Sequence, residues 1–340
     1  MKVKFIAVVA LMGCAQLVSG QVTDGEAALR KHDSDTTQGW KIGGVASLNA
    51  TQTNLTNWAS GGQNSISING AFNAHANYKK GRSAWDNTLD LGYGLMKQGE
   101  DEDFRKTDDR IDFSSKYGYE AYKSFYYAAL VSFKSQMANG YNYKDTTKEK
   151  ISAFLAPAYV IGAIGIDYKP NSYFSAFLAP LTLKYTIVND QDLADAGAYG
   201  VDPAEYEQVP VKDESGVVNR TIPGNMIKHG KKARGEFGGY IRLLYSKSDF
   251  EAEILKNFSI TSKADFFSNY MHNPQNIDVS WETQIAMKVN KYITVSLSTH
   301  LIYDDDIKIA DGTNPDGSTK MVGSKVQFKE IAGVGIMYNF

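Results

Sequence analysis

Ser298 and His300 stand two residues apart, and Asp304, Asp305 and Asp306 follow directly behind them. Brought within hydrogen-bonding reach, a hydroxyl, an imidazole and a carboxylate supply the nucleophile, base and orienting group of an acyl-transfer enzyme. The surrounding residues point the other way. Ile293, Val295, Leu297, Thr299, Leu301 and Tyr303 alternate with Thr294, Ser296, Ser298, His300 and Ile302, so the Ser and His sit on the mostly polar face of a strand, where polar residues are expected in any case. A nucleophile acting on lipid at the rim of a barrel belongs on the opposite face. The acidic run continues through Asp311, Asn314 and Asp316, oxygen donors of the kind calcium prefers. Their spacing matches no calcium loop, and a solvated acidic loop accounts for them equally well. No Cys or His pair has zinc-site spacing, and no glycine loop opens a helix for phosphate. The expectation is no catalytic site, no metal and no cofactor.

The elements that would carry these residues are strands. From Ile277 to Val289 the odd positions read Ile, Val, Trp, Thr, Ile, Met, Val and the even ones Asp, Ser, Glu, Gln, Ala, Lys, a nearly unbroken period of two. The same reading over the whole chain gives twelve candidate strands, near residues 40–50, 65–79, 83–98, 105–119, 124–138, 151–168, 173–188, 232–246, 250–267, 275–290, 292–304 and 325–340. From 80 onward their connections run alternately short and long, from the short Gly81-Arg82 to the very long 189–231 and the long 305–323. Short turns at one end, long loops at the other and walls apolar on one side describe an antiparallel transmembrane β-barrel. An even strand number returns both termini to the periplasmic side. Trp40, Tyr78, Trp85, Tyr117, Tyr119, Phe125, Tyr127, Tyr168, Tyr173, Tyr245, Phe250 and Tyr292 cluster near the short turns, as an interfacial girdle would. The last residues alternate to a terminal Phe340. Lys256 and Glu330 interrupt the pattern by falling on the apolar face.

In this register the lumen-facing polar residues include His75, Asp86, Asp90, Arg110, Asp112, Arg234, Glu236, Arg242, Glu282 and His300, with Lys116, Lys134, Lys184, Glu251, Glu253, Lys263, Asp265 and Asp278. Both signs are present, so the interior reads either as a small polar pore or as a salt-bridged plug. The 189–231 connection is too long for a passive turn. Glu205, Tyr206, Val209 and Val211 within it resemble a contact strip, and Lys228, Lys231 and Lys232 face Asp190, Asp192 and Asp195 across its base. Trp58, beside Gly61-Gly62 in the 52–63 loop, is a second candidate contact.

Residues 1–20, with Lys2 and Lys4 before an apolar run and small residues at Val18-Ser19-Gly20, have the layout of a secretory signal peptide, leaving a periplasmic segment at 21–39 and the barrel at 40–340. The lone cysteine, Cys14, lies in that leader, and Leu11-Met12-Gly13-Cys14 offers a rival, lipoprotein-type cleavage site. A formal net charge of -2 gives no basic surface for nucleic acid. With 21 Tyr, 30 Gly and 43% hydrophobic residues beside a negative mean hydropathy of -0.34, the composition suits strands that are apolar on one side only.

Three segments carry a resemblance. They are Gly39-Trp40-Lys41-Ile42-Gly43-Gly44 leading to Leu55-Thr56-Asn57-Trp58-Ala59-Ser60-Gly61-Gly62; Trp85-Asp86-Asn87 with Leu91-Gly92-Tyr93-Gly94; and Phe154-Leu155-Ala156-Pro157 with Phe177-Leu178-Ala179-Pro180. Together they resemble a Bacteroidota family of outer-membrane barrels carried as a domain of unknown function. That resemblance implies location and fold and supplies no catalytic residues. The reading is a non-enzymatic barrel in the outer membrane of a Gram-negative cell, surrounded by outer-membrane lipid. It serves as scaffold or accessory subunit of an envelope assembly whose protein partners bind its loops. A narrow channel for small polar solutes is the alternative.

Overall fold

Alternation of apolar and polar residues commits the chain to strands, and the computed structural model describes residues 38–55, 63–99, 103–144, 147–171, 173–212, 218–248, 250–289, 293–307, 309–313 and 319–336. Residues 1–20, expected to be a leader, and Trp58, Tyr292, Asn314, Asp316 and Phe340 lie outside these residues, as do the side chains of Ser298 and Asp311.

Twelve strands form one antiparallel sheet: β1 (Gly39–Thr53), β2 (Ser65–Lys80), β3 (Ser83–Gln98), β4 (Arg105–Tyr122), β5 (Phe125–Ser135), β8 (Ala158–Asn171), β9 (Phe174–Ile187), β12 (Ala233–Lys247), β13 (Phe258–Asn269), β14 (Ile277–Lys288), β15 (Ile293–Tyr303) and β18 (Gln327–Ile336), each hydrogen-bonded to the next in that order. The six remaining strands pair as hairpins within the long connections: β6 (Gly140–Lys144) with β7 (Thr147–Ser152), β10 (Glu205–Lys212) with β11 (Val218–Lys228), and β16 (Ile309–Thr313) with β17 (Thr319–Val322). Only two short helical turns occur among the described residues, α1 (Gln191–Asp195) and a 3₁₀ turn at Ala198–Gly200. No helix there is long and apolar enough to cross a membrane.

The sheet curls strongly. β5 and β14 are five places apart in the sheet order, which at about 4.8 Å per strand is roughly 24 Å along the wall. Yet Lys134 Nζ on β5 lies 3.8 Å from Glu282 Oε1 on β14. β4 and β18 are eight places apart, and Asp108 on β4 still comes within 3.7 Å of Lys329 on β18. Only a wall bent round on itself brings such residues together.

The two faces of that wall invert the usual order of a soluble protein. The outer face exposes Ile42, Phe72, Trp85, Val131, Ile164, Leu178, Leu183, Tyr185 and Trp281 among many other large apolar residues. Carbon-rich surface on this scale, continuous from strand to strand, is far beyond the scattered patches of a soluble monomer. The inner face buries Asn77, Ser132, Asp167, Thr182, Lys184, Glu236, Thr261, Asp265 and Gln284. Toward the short-turn end the outer aromatic rings touch in sequence. Trp40 packs on Tyr78 and Trp85, Phe125 on Tyr168, and Tyr173 on Tyr245, with centroids 4.7 to 5.9 Å apart.

Two expectations need correction. The segment 151–168 is not one strand. The chain breaks at 153–157, where Leu155 adopts φ 55, Ala153 and Ala156 form an isolated bridge, and the Ala156–Pro157 peptide is cis. The segment 250–267 starts as a strand only at Phe258, because turns with Leu255 N–H bonded to Ala252 O and Phe258 N–H to Leu255 O occupy the preceding residues. Glu251 and Glu253 are therefore exposed in a loop rather than lumen-facing, and Lys256 leaves the apolar wall to pair with Glu253 at 3.1 Å. β9 also carries a bulge that its sequence does not announce. Pro180 and Leu181 are both exposed, which offsets β9 against β8 and β12 and turns Phe177 and Lys184 to the same inner face. Gly165 accommodates it, since a Cβ there would lie 2.0 Å from the Leu178 backbone oxygen of β9.

Candidate functional site

Curling sets the inner faces of distant strands against each other, and charged side chains meet across the interior. Arg242 on β12 grips Asp265 on β13 with two hydrogen bonds, of 2.6 and 3.0 Å, while the Tyr240 hydroxyl donates to the same carboxylate at 2.7 Å. Lys184 on β9 lies 2.6 Å from Asp278, 3.5 Å from Glu236 and 3.7 Å from Asp304. Glu236 also accepts from Arg234, which in turn reaches Asp306 and the carbonyl of Gly200. Glu282 gathers Lys134, Lys263 and His300 at 3.5 to 3.8 Å, and Lys134 is shared with Asp112. Near the short turns Lys116 pairs with Asp167 at 2.6 Å, and Lys169 bridges Asp167 and Asp86. Among these braces lies an apolar cluster of Leu130, Phe177, Tyr240 and Phe267 with Ala128, Ala163 and Ala179.

Every named lumen candidate among the described side chains can thus be placed. Asp86, Asp112, Glu236, Arg242, Glu282 and His300 take part in cross-strand contacts, and Arg234 holds Glu236 of its own strand and Asp306 of the loop after β15. His75 packs against Gly43, where a Cβ would lie 2.7 Å from its ring. Asp90 stands opposite Asp112 in the β3–β4 register, and Arg110 opposite Gly92. The Arg110 Nε, both polar atoms of Asn77 and the Gln284 Oε1 are buried without a hydrogen-bond partner among the described residues. His300 Nε2 meets Ser280 Oγ at 3.1 Å, not an aspartate. Asp304 and Asp306 serve Lys184 and Arg234, and Asp305 bonds Asn276, Tyr303 and Ser324. These acids act as structural partners, and among the described residues no group of three or more His, Cys, Asp or Glu is placed to hold a metal. The residues that sequence reasoning passed over are the inward aromatics Tyr159, Phe177, Tyr199, Tyr240 and Phe267. Tyr240 and Phe267 carried a visible signal, sharing parity with Arg242 and Asp265.

The 189–231 connection is not a plain loop. Its first part caps the long-loop end, where Val188, Leu193, Ala194 and Val201 pack on Ala153 and Ala156. Tyr199 donates to Ile151 O at 2.6 Å, and burial pushes its hydroxyl up to about 12. The second part projects as the β10–β11 hairpin, on which Glu205, Tyr206, Val209, Ile222 and Ile227 are exposed. The expected pairing across its base is different in detail. Asp190 and Asp192 bind Lys150 of β7, Asp195 binds His229, Asp202 binds Lys231, and Glu205 binds Lys228.

Burial pushes the Asp190 carboxyl up, but the Lys150 hydrogen bond and the Leu193 N–H outweigh it and hold the group below the ordinary aspartate value of 3.8. A depressed carboxylate stabilises the folded form fully above its ordinary value, and the contribution is lost as pH falls through the lower, folded one. The cap is therefore expected to stay shut at pH 5 and to loosen only below about pH 4. Limited proteolysis between Asp190 and Gly200 across a pH series checks this, and Lys150→Met should abolish the step.

The family described as "Protein of unknown function (DUF3078)" matches residues 50–141, from the end of β1 into β6. No curated protein matches the chain. Among solved structures, an outer-membrane channel from Pseudomonas putida F1 aligns at 11% identity and TM-score 0.37, covering 90% of this chain and 97% of that one. The translocator domain of the autotransporter NalP from Neisseria meningitidis aligns at 12% identity and TM-score 0.34, covering 93% and 98%. BamA from Haemophilus ducreyi lacking POTRA domains 1-3 aligns at 9% identity and TM-score 0.19, covering 88% and 70%. At these scores the likenesses carry no argument about function.

Proposed function

We propose that the chain is an integral outer-membrane β-barrel of the uncharacterised Bacteroidota family, exported by its leader. It closes between β1 and β18 into twelve strands with both termini periplasmic, and serves, without enzymatic activity, as a scaffold or accessory subunit of an envelope assembly. The observation that carries this reading is the inverted wall: an apolar outer face around an interior in which ions are paired across the lumen. Lipid is the solvent that favours such an exterior. Lumen charges already bound to one another leave little for a passing solute to bind, while the β10–β11 hairpin stands clear as a surface for an envelope protein partner.

The scaffold reading is tested by replacing residues 205–228 with a short Gly/Ser turn, which leaves the cap and wall in place. Recovery of partners from native membranes in mild detergent should fall, and the behaviour of the purified protein in planar bilayers should not change. Retained partners together with a gain in conductance would sink it. One observation favours a second reading, the narrow channel. Asn77, Arg110 and Gln284 keep buried polar atoms without hydrogen-bond partners among the described residues, and such atoms call for water. Resolved unitary steps from the unmodified protein in planar bilayers would favour the channel.

A further inference from the structure

Within the long-loop half of the interior lies a chamber of about 330 Å³. Tyr159 and Ile161 of β8, Tyr240 of β12, Phe266 and Phe267 of β13, and Ile302 of β15 line it, and Tyr199 of the cap reaches it from the long-loop end. The volume is at the lower end of sites that bury a small organic ligand, and the rings and branched side chains supply the apolar walls such sites use.

The charged groups around the chamber define what it can hold. Arg242 is committed to Asp265, Lys184 to Asp278 and Asp304, and Lys134 to Asp112 and Glu282. A charged ligand would have to displace one member of a buried pair and leave the other uncompensated, which is strongly unfavourable. A neutral ligand disturbs none of them. Three lining polar groups make no hydrogen bond to any described residue, the Tyr159 hydroxyl, the Ser132 hydroxyl and the Gln327 amide, and of these the Tyr159 hydroxyl is the one carried on an aromatic wall of the chamber. Tyrosine hydroxyls in buried surroundings normally find a partner.

We propose that this chamber is a binding site for a small neutral molecule with a flat apolar ring and at least one hydroxyl or carbonyl. The ring lies among Tyr240, Phe267 and Ile302, and the polar atom meets Tyr159. The assignment does not depend on whether the barrel is a scaffold or a channel.

The test uses the full chain in lipid nanodiscs, with empty nanodiscs as the blank for partition into lipid, and equilibrium dialysis against three probes of one ring size. These are neutral 2-naphthol, 2-naphthalenesulfonate and 2-naphthylmethylammonium. Saturable one-to-one binding is expected for 2-naphthol alone, at least about tenfold tighter than for either ion, as expected if breaking a buried pair opposes the ions. Ile302→Trp, which places an indole where the ligand ring is assigned, should remove the saturable component. Tyr159→Phe should weaken it by about two- to tenfold, the loss of one hydrogen bond. Tyr159→Phe alters a single oxygen and carries the test if the tryptophan variant does not fold. Uptake of 2-naphthol no greater than by empty nanodiscs, equal binding of the sulfonate, or undiminished affinity in Tyr159→Phe would each overturn the assignment.

Discussion

Ile164→Arg should cost about 2 to 4 kcal/mol of folding stability, although Ile164 is 62% exposed. On a soluble protein an exposed isoleucine tolerates arginine within about 0.5 kcal/mol, because the guanidinium stays in water. Ile164 instead lies at the middle of β8, facing outward, where the proposed membrane would hold it at the hydrocarbon midplane. The control is Ile227→Arg, at a residue 69% exposed on the β11 hairpin, which should be almost silent. Urea titration of both variants folded into lipid vesicles separates the cases. Equal, small effects would mean that the apolar face meets water, and the membrane assignment would fail.

The second large effect concerns the interior. Asp265→Ala leaves the Arg242 guanidinium buried without its carboxylate, and a broken buried pair typically costs about 3 to 5 kcal/mol. Removing both charges should cost much less, because an apolar pair of similar volume needs no compensation. The double variant Arg242→Met/Asp265→Leu is therefore expected to recover most of the stability lost in Asp265→Ala, a non-additivity read from the same vesicle titrations. Simple additivity would show that the two groups do not brace one another.

Much of the wall was legible in the sequence, for a local reason. Period-two alternation depends only on which side of a strand each residue occupies, so Ile277 to Val289 reads directly as β14, with Trp281 outside and Glu282 inside. What was not legible depends on contacts far along the chain. Phe154-Leu155-Ala156-Pro157 looks like strand by composition, but Ala153 and Ala156 pack into the cap beside Leu193, and no local pattern announces that. Phe250 to Leu255 alternates well enough to imitate a strand, yet its backbone closes into turns. The ion pairs were the least accessible part. Which lysine meets which carboxylate is set by the curvature of the wall and by the offset at Pro180, so Lys134 and Glu282, on strands five places apart, could not be matched from spacing.

Buried inner side chains are distributed unevenly round the wall. Among the described residues they concentrate on β5, β8, β9, β12, β13 and β14, while β2, β3 and β4 contribute few. One arc of the wall is thus filled by rings and ion pairs, and on the opposite arc the inner contacts are sparser, with Asp86, Lys116 and Asp112 reaching out to Lys169, Asp167 and Lys134. Such a wall has unequal stiffness. In the proposed membrane, lateral pressure should flatten the loosely filled arc first, and amide hydrogens there should exchange sooner than those of β9 and β13. Its cross-section would breathe from one side only, like a bellows hinged along a rigid spine.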